Sequence, residues 1–354
     1  MDAQLKRLVL CAAFSPYSAL LGRILREHAP DDTPLDRFRS WLPNKNRLPD
    51  RRLRHPEDLH GPLTALSGLG WRWLALGDDP PLLADLPDAP GVLAVRGDPA
   101  VLAGPQLAMV GARAASADGT DNAFRFARSL AAAGFAITSG LALGVDAAAH
   151  RGALAAGGTT VAVLGNGPDR IYPPHHRKLA QQIIEGGGVL VTEFAPGSQP
   201  RREYFPARNR IISGLSFGTI VVEAALRSGS LITARTAAEQ GREVFAIPGS
   251  LHNPLSKGCH RLLRDGANWL ESVDDVLHAF GDFRRTLEDS PALSAARRPD
   301  DTQGLLAHFT TGINGLDDLA SLPMTELAEQ LADLELEGRI KRVAGGYSRH
   351  RGLA

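Results

Sequence analysis

The sequence predicts a doubly wound parallel α/β sheet, with a small helical domain before it and a winged-helix module after it. From about residue 105, short apolar runs alternate with helical patterns. Each run is apolar on both faces and ends at a glycine, serine or polar turn, as buried parallel strands do. These runs are 106–111, 135–138, 160–165, 188–194, 218–223 and 243–249. Such alternation of strands and helices predicts a doubly wound sheet.

The remaining elements follow from simpler patterns. The helical stretches 122–134 and 232–241 end at glycine, the residue favoured just past a helix C-terminus. Residues 281–303 lack apolar periodicity and predict a linker. After it, two helical patterns precede a two-stranded wing that turns at Gly345–Gly346, which is the outline of a winged helix. The expected organisation is a helical domain 1–80, a sheet domain 81–282, a linker 283–303 and a winged helix 304–354.

Charge and cysteine content limit the functions to consider. The 354 residues include 39 Lys+Arg and 39 Asp+Glu, so a nucleic-acid site must be a local basic patch. Cys11 and Cys259 are the two cysteines, which fits a reducing compartment and excludes a cysteine-based metal site. No apolar run is long enough to span a membrane. We therefore expect a cytoplasmic protein without membrane insertion.

Two loops at the carboxyl ends of predicted strands are candidates for anion binding, because ligands bind at this edge of such sheets. In residues 110–113 a glycine lets the backbone approach a phosphate, and an arginine supplies the opposite charge. Residues 139–150 form a glycine-flanked loop that enters a helix. Asp146 fits a brace of this turn better than a ligand contact, while His150 is either packed or functional. The candidates are Gly111, Arg113, Ser139, Gly140 and Gly144.

Two further loops combine basic and aromatic residues, as single-stranded nucleic acid requires: cations follow the backbone and rings stack on bases. Residues 164–178 place Tyr172 among prolines and basic side chains, and residues 200–210 hold four arginines beside Tyr204 and Phe205. Alternatively, Phe205 is a hydrophobic staple and Arg210 a solvated helix residue. The candidates are Arg170, Arg177, Arg202, Phe205, Arg208, Asn209 and Arg210.

A last loop, within residues 214–234, places Ser228 and Ser230 before a helix, where they either cap it or donate to phosphate. The chain has no dinucleotide fingerprint after its first buried strand, no P-loop, no nucleophile elbow on a strand-to-helix turn and no histidine cluster with metal-ligand spacing. We expect no catalytic residue, no cofactor and no metal.

The ordered set of loop motifs resembles the DprA/Smf family of DNA-processing proteins. The motifs are "VGAR", "SGLALGVDAAAHRGAL", "AVLGNGPDRIYP", "TEFAPG", "FPARNRIISGLS", "VVEAALRSGSLITARTAAEQGREVFAIPGS" and "GCHRLLRDGA". The resemblance covers about residues 80–270 in detail. It implies an extended Rossmann domain, a SAM-like helical N-terminal domain and a DML1-like winged helix. Residues 1–75 match that N-terminal domain only in length and character.

The family resemblance also implies a function. A member binds single-stranded DNA in a basic pocket, forms a homodimer through the Rossmann domain, displaces single-strand-binding protein and loads RecA recombinase in natural transformation and recombination. The pocket motifs match at Arg113, Ser139–Gly140, Arg202, Phe205 and Arg208–Asn209–Arg210. Arg208 and Arg210 are expected to face phosphates, while Ile211 and Ile212 pack in the core. Leu143, where members often have arginine, and Asn166, where they often have cysteine or another small residue, depart from the family pattern.

The predicted recognition helix of the C-terminal module is acidic, with Glu326, Glu329, Asp333, Glu335 and Glu337. DNA phosphates would repel such a helix, which favours a protein-contact or regulatory role. The predicted wing, with Lys341, Arg342, Arg349 and Arg351, could still touch a DNA backbone.

An alternative function rests on residues 213–223, which resemble the glycine-rich GT-x-x-E loop of lysine-decarboxylase-like phosphoribohydrolases. In that class the glutamate assists cleavage of a nucleoside monophosphate. Glu223 occupies the matching position, but the double glycine preceded by proline is missing. A glutamate that ends a strand can equally brace a neighbouring loop.

Overall fold

The computed structural model describes residues 65–75, 80–84, 86–280, 313–314, 331, 334–335, 339–343 and 346–349. Most of the predicted N-terminal domain and the whole linker 283–303 lie outside the described residues. The main sheet contains Trp71–Ala75 (β1), Val92–Arg96 (β2), Gln106–Val110 (β3), Ala136–Ser139 (β4), Thr160–Val163 (β5), Val189–Thr192 (β6), Gly218–Val221 (β7), Glu243–Ala246 (β8) and Asn268–Trp269 (β9).

Eight α-helices that lie wholly within the described residues accompany these strands. They are Pro81–Ala84 (α1), Ala117–Ala132 (α2), Val145–Ala155 (α3), Arg177–Glu185 (α4), Tyr204–Gly214 (α5), Gly229–Glu239 (α6), Lys257–Arg264 (α7) and Val273–Ala279 (α8). Ser116 and Ser228 cap the N-termini of α2 and α6 with their side chains. Gly134 and Gly241, with φ of 97° and 70°, follow the C-termini of the same helices. The sequence-based helix ends at these glycines are confirmed.

The strand order is β1-β2-β6-β5-β4-β3-β7-β8-β9. The seven neighbouring strands β6, β5, β4, β3, β7, β8 and β9 are parallel to one another. Beyond β6, β2 pairs antiparallel with β6, and β1 pairs antiparallel with β2. One core, which includes Ile211 and Ile212 of α5, packs on one face, and a second core, which includes Phe126 and Val145, packs on the other. The predicted doubly wound parallel sheet is confirmed.

The sheet also holds strands that the sequence patterns did not predict. β1 begins at Trp71 and pairs with β2, so the sheet starts ahead of the expected domain boundary at residue 81. The parallel order places the carboxyl ends of β3, β4, β5 and β7 side by side at one edge, with β3 and β7 at the point where the order reverses. This edge is where the candidate loops meet.

The C-terminal module contributes a three-stranded antiparallel sheet of Ile313–Asn314 (β10), Ile340–Val343 (β11) and Gly346–Arg349 (β12). β11 and β12 pair with Val343 opposite Gly346, which confirms the predicted wing. Of the acidic residues predicted on the recognition helix, Glu335 alone lies within the described residues. Among the described helices, none is long and apolar enough to cross a membrane.

Candidate nucleic-acid interface

Three side chains lie together at the carboxyl edge of the sheet, and we call them the edge cluster: Arg113, Tyr172 and Phe205. The Arg113 guanidinium lies 5.0 Å from the centroid of the Phe205 ring, a cation–π distance. The Tyr172 and Phe205 rings have centroids 5.8 Å apart and an interplanar angle of 38°. Tyr172 is 40% exposed and Arg113 is exposed. A cation and two accessible rings therefore share one surface.

The start of α5 explains why Phe205 remains accessible. The preceding ring, Tyr204, is buried and stacks on Phe194 with centroids 4.4 Å apart. Tyr204 thus fixes the helix start in the core, and Phe205 is left half-buried against the loop after β5. A Cβ added at Gly165 of that loop would lie 2.8 Å from the Phe205 ring. The anchoring that a hydrophobic staple would provide comes from Tyr204.

The loop after β4, residues 140–144, is held by Asp146 in the first turn of α3. One carboxylate oxygen of Asp146 accepts hydrogen bonds from the backbone N–H of Gly140 at 3.0 Å and of Ala142 at 3.2 Å. Burial raises the pKa of this carboxyl. The prediction that Asp146 braces the turn is confirmed. Ser139 is fully buried and donates to the Met109 carbonyl at 2.6 Å, so its hydroxyl is engaged inside the sheet.

Arg208 lies behind this loop and is 3% exposed. Its Nη1 donates to the Gly140 carbonyl at 2.9 Å and also to the carbonyl of Val163. Its Nε donates to Oδ1 of Asn209 at 3.2 Å. Burial lowers the pKa of Arg208 to about 10, against the opposing field of Asp146, so the guanidinium is still charged at neutral pH. The sequence predicts that Arg208 faces a phosphate. In the structure its donors point into the protein instead, toward backbone carbonyls and Asn209.

Arg210 is likewise engaged by carboxylates. Its two terminal nitrogens donate to the two oxygens of Glu193 at 2.9 and 2.7 Å, and its Nε lies 3.3 Å from Oδ2 of Asp88. The side chains of Arg210 and Glu193 are 11% and 3% exposed. Such a bidentate pair fixes both position and orientation. Arg210 is also expected to face a phosphate, whereas in the structure its guanidinium faces the Glu193 carboxylate.

The other predicted cations lie nearer the solvent. Arg177, at the start of α4, and Arg202, two residues before α5, are exposed. Arg170 is partly exposed and donates to Oε1 of Gln199 at 2.6 Å, beside Asp169. Gly111 directly follows β3 and packs closely on Val145 of α3. Within the described residues, no hydrogen bond joins these four residues to the edge cluster.

Ser228 and Ser230 act as capping groups in the structure. Ser228 is the N-cap of α6, and its hydroxyl lies 2.6 Å from that of Ser230. Ser228 lines a groove formed with α6, β8 and α7, whose wall includes Arg235 and Leu262. The capping alternative therefore describes the observed contacts of this pair.

Glu223 follows β7 at the reversal point of the sheet and is 6% exposed. Its carboxylate accepts from the backbone N–H and the hydroxyl of Ser116, at 2.9 and 2.6 Å, and from the amide of Asn253 at 3.0 Å. A Cβ at Gly119 would lie 2.3 Å from Oε2. The carboxylate therefore braces two neighbouring loops. Within the described residues, no group of three metal-ligating side chains is present.

His150 is fully buried, and its Nδ1 lies 2.7 Å from the Thr160 hydroxyl. Because that hydroxyl donates to the Ile137 carbonyl, Nδ1 of His150 is the donor to Thr160. Burial, followed by charge repulsion from His176 and Arg208, lowers the pKa of His150 to about 3. His150 is therefore a neutral packed histidine at neutral pH, which decides between the two alternatives that the sequence left open.

The fold and this edge define an extended Rossmann-type protein with a C-terminal winged helix. The family described as DNA recombination-mediator protein A matches residues 75–281, and the DprA winged helix domain matches residues 289–346. The chain belongs to this family, as the motif resemblance predicted.

Relatives agree with this assignment. Protein Smf of Escherichia coli is 45% identical over 281 residues, which covers 77% of this chain and 75% of that protein. DNA processing protein DprA of Streptococcus pneumoniae is 46% identical over 198 residues, covering 56% of this chain and 70% of that protein. The family therefore includes proteins described as DNA processing proteins.

Two solved structures extend the comparison to three dimensions. The crystal structure of DprA from S. pneumoniae superposes with a TM-score of 0.67 at 36% identity, covering 78% of this chain and 98% of that one. DNA processing protein A from Helicobacter pylori, solved to study its single-stranded DNA binding mode, has a TM-score of 0.55 at 30% identity and covers 60% and 96% of the two chains.

Proposed function

We propose that this protein is a sequence-independent single-stranded DNA-binding protein that protects incoming single strands and loads RecA recombinase onto them in natural transformation and recombination. The observation that carries the proposal is the edge cluster, in which an exposed arginine and two accessible rings lie together. Cations that follow the phosphates and rings that stack on bases are the two elements of sequence-tolerant single-strand binding.

The edge cluster favours a single strand over a duplex for a steric reason. A ring can stack on a base only when that base is not already stacked and paired in a helix, and every base offers a π-face. Arg113 reaches a phosphate while the neighbouring base meets Phe205 or Tyr172. Arg177 and Arg202 are further exposed cations on the segments that carry Tyr172 and Phe205. Contacts of this kind recognise backbone and stacking faces and carry little base preference.

The family assignment supports the finer parts of the proposal. A recombination mediator acts where single-strand-binding protein covers DNA, so single-strand-binding protein and RecA are the proposed partners. We also propose a cytoplasmic homodimer formed through the Rossmann domain, without an enzymatic step. The enzyme alternative would need the Glu223 carboxylate to face a nucleotide, whereas its oxygens already accept from Ser116 and Asn253.

Fluorescence anisotropy of a labelled oligonucleotide tests the binding function. The full chain should bind a single strand more tightly than a duplex of equal length, and log K should fall linearly with log salt, as counterions are released. A nucleoside monophosphate should be left intact under the same conditions. Equal weak binding to both forms, together with hydrolysis of the monophosphate, would establish the enzyme alternative.

A second assay tests the mediator function. A single strand is first covered with single-strand-binding protein, and RecA is then added with or without the full chain. The proposal predicts faster RecA assembly when the chain is present, read as the onset of DNA-dependent ATP hydrolysis. An onset unchanged by saturating protein, with single-strand binding intact, would remove the mediator role and leave the binding role standing.

A further inference from the structure

We propose that three buried residues, Arg208, Asp146 and His176, are positioning residues for single-strand binding. They would act through the loop after β4 and would not touch the nucleic acid. We call these three residues the buried brace. The inference rests on the proposed function, since the readout is nucleic-acid affinity. It assigns to Arg208 a role different from the phosphate contact that its basic charge suggests.

Arg208 joins two loops of the site at their backbone. Its Nη1 donates to the carbonyl of Gly140, after β4, and to the carbonyl of Val163, at the end of β5. The approach is so close that a Cβ added at Gly140 would lie 2.5 Å from Nη2. Only glycine fits there without moving the guanidinium. The loops after β4 and β5 are therefore held together by one side chain.

Asp146 holds the same loop from the opposite direction. Its carboxylate accepts hydrogen bonds from the backbone N–H groups of Gly140 and Ala142, so both N–H groups point toward this buried side chain. Its negative charge also opposes the desolvation of Arg208. A buried guanidinium without such a partner would be costly. Arg208 and Asp146 therefore stabilise one loop geometry together, with Gly140 bonded to both.

His176 fixes the residue between these two attachments. Leu141 has a fully buried side chain and a φ of 56°, in the left-handed region that residues other than glycine seldom adopt. Its carbonyl accepts a hydrogen bond from Nδ1 of His176 at 2.8 Å. Backbone in such a conformation persists only where the surroundings determine it, and it clusters at functional sites. Tyr172 lies four residues before His176, so this bond also connects the loop to the segment that carries the Tyr172 ring.

The loop after β4 transmits its geometry to Arg113. Gly144 ends the loop with a φ of 75°, and a Cβ there would lie 2.3 Å from the Ala112 carbonyl and 2.6 Å from that of Arg113. The backbone N–H of Val145 donates to the same Ala112 carbonyl at 3.2 Å. A shift of the loop must therefore move the backbone from which the Arg113 side chain reaches Phe205.

The salt dependence of binding separates positioning from contact. A residue that contacts a phosphate of a single strand lowers the log–log salt slope by about 0.7 when removed, whereas a buried residue releases no counterion. We expect Arg208→Met in the full chain to bind a labelled oligothymidylate roughly tenfold to a hundredfold more weakly, the range for a lost charged hydrogen-bond network. Its salt slope should equal that of the wild type. Arg113→Met is the matched control and should lower the slope.

Two further measurements distinguish a loss of positioning from a loss of folding. Stoichiometric titration should give the wild-type active fraction for Arg208→Met, and Arg208→Lys, which keeps the charge, should recover part of the affinity. If Arg208→Met does not fold, His176→Leu provides the same test at Leu141, the next residue of the loop. A slope lowered by about 0.7 in these variants, or an unchanged affinity, overturns the inference. A wild type without single-strand binding refutes the proposed function instead.

Discussion

The two halves of the candidate site use the same residue type in opposite ways. On the inner side, Arg208 and Arg210 are buried or nearly so, and their donors are taken by backbone carbonyls and by the carboxylates of Glu193 and Asp88. On the outer side, Arg113 and Arg202 are exposed. The inner arginines hold the loops, and the outer ones are available to a ligand.

This difference shows that the number of arginines in a basic motif does not give the number of phosphate contacts. The run Arg208–Asn209–Arg210 lies on α5, where Arg208 donates to the carbonyls of Gly140 and Val163, while Phe205, three residues earlier, lies beside Arg113. Burial and hydrogen-bond partners, not residue type, decide which arginine is available. Substitutions should therefore separate stability from affinity.

The largest expected effect is on folding stability at Arg208. Arg208→Met leaves the Asp146 carboxylate buried without its counter-charge, which should lower the free energy of unfolding by about 3–5 kcal/mol. Arg113→Met, at an exposed position, should stay within about 0.5 kcal/mol of the wild type. Urea denaturation followed by circular dichroism measures both. Equal small losses in the two variants would contradict the distinction between inner and outer arginines.

A second inner variant tests the Arg210 pair. Glu193→Gln keeps the side-chain shape but removes the charge that accepts the bidentate hydrogen bonds, so we expect a loss of about 2 kcal/mol in the free energy of unfolding. Arg202→Met is the outer control and should be near neutral. The same urea denaturation applies, and a Glu193→Gln protein as stable as wild type would show that the pair adds little.

The outer half is tested most strongly at Phe205. Phe205→Leu removes a stacking surface worth about 1–3 kcal/mol per base, so single-strand affinity should fall while the salt slope stays unchanged. Tyr172→Phe keeps the ring and should bind nearly as the wild type does. Anisotropy titrations over a salt series measure both quantities. An unchanged affinity of Phe205→Leu would make the ring a packing element.

The pH dependence of stability reports on the inner half. His150 has a folded pKa of about 3 and an unfolded value near 6.5, so between these values the unfolded state binds more protons. The free energy of unfolding should therefore fall as pH drops below about 6.5, by up to about 1.4 kcal/mol per pH unit from this residue.

His150→Leu should remove this contribution, while the raised pKa of Asp146, which acts with the opposite sign, remains in both proteins. Urea denaturation at pH 7, 6 and 5 gives the two slopes. Identical slopes in variant and wild type would contradict a neutral buried His150.

The smallest expected effect is at Arg202. Arg202→Met should lower the log–log salt slope by about 0.7 if this side chain meets one phosphate, with only a modest loss of affinity at low salt. The anisotropy salt series measures it, and Lys178→Met, an exposed cation of α4 outside the matched motifs, is the control. An unchanged slope would place Arg202 outside the path of the strand.

Much of this architecture could be predicted from the sequence, because buried parallel strands have a strong apolar signal. The six predicted runs correspond to β3 through β8. The antiparallel β1 and β2 were missed, since β1 lies in a stretch without clear strand periodicity. The role of Asp146 as a brace also follows from its place in the first turn of α3.

The inner contacts could not be predicted, because they depend on which face of α5 meets the sheet. Nothing in the pattern around Arg208 distinguishes a guanidinium that bonds to Gly140 from one that meets a phosphate. Glu193 and His176 carried no signal of their own, and Tyr172 was noticed only as an aromatic residue among prolines. Long-range packing, not local sequence, determines these partners.

Ultraviolet crosslinking of the full chain to an oligothymidylate, followed by mass spectrometry of the crosslinked peptides, tests the central claim most directly. If the single strand lies on the edge cluster, crosslinks should map to the segments that carry Tyr172 and Phe205, and Arg113→Met should reduce them. Crosslinks confined to the wing strands β11 and β12, with none at Tyr172 or Phe205, would contradict it.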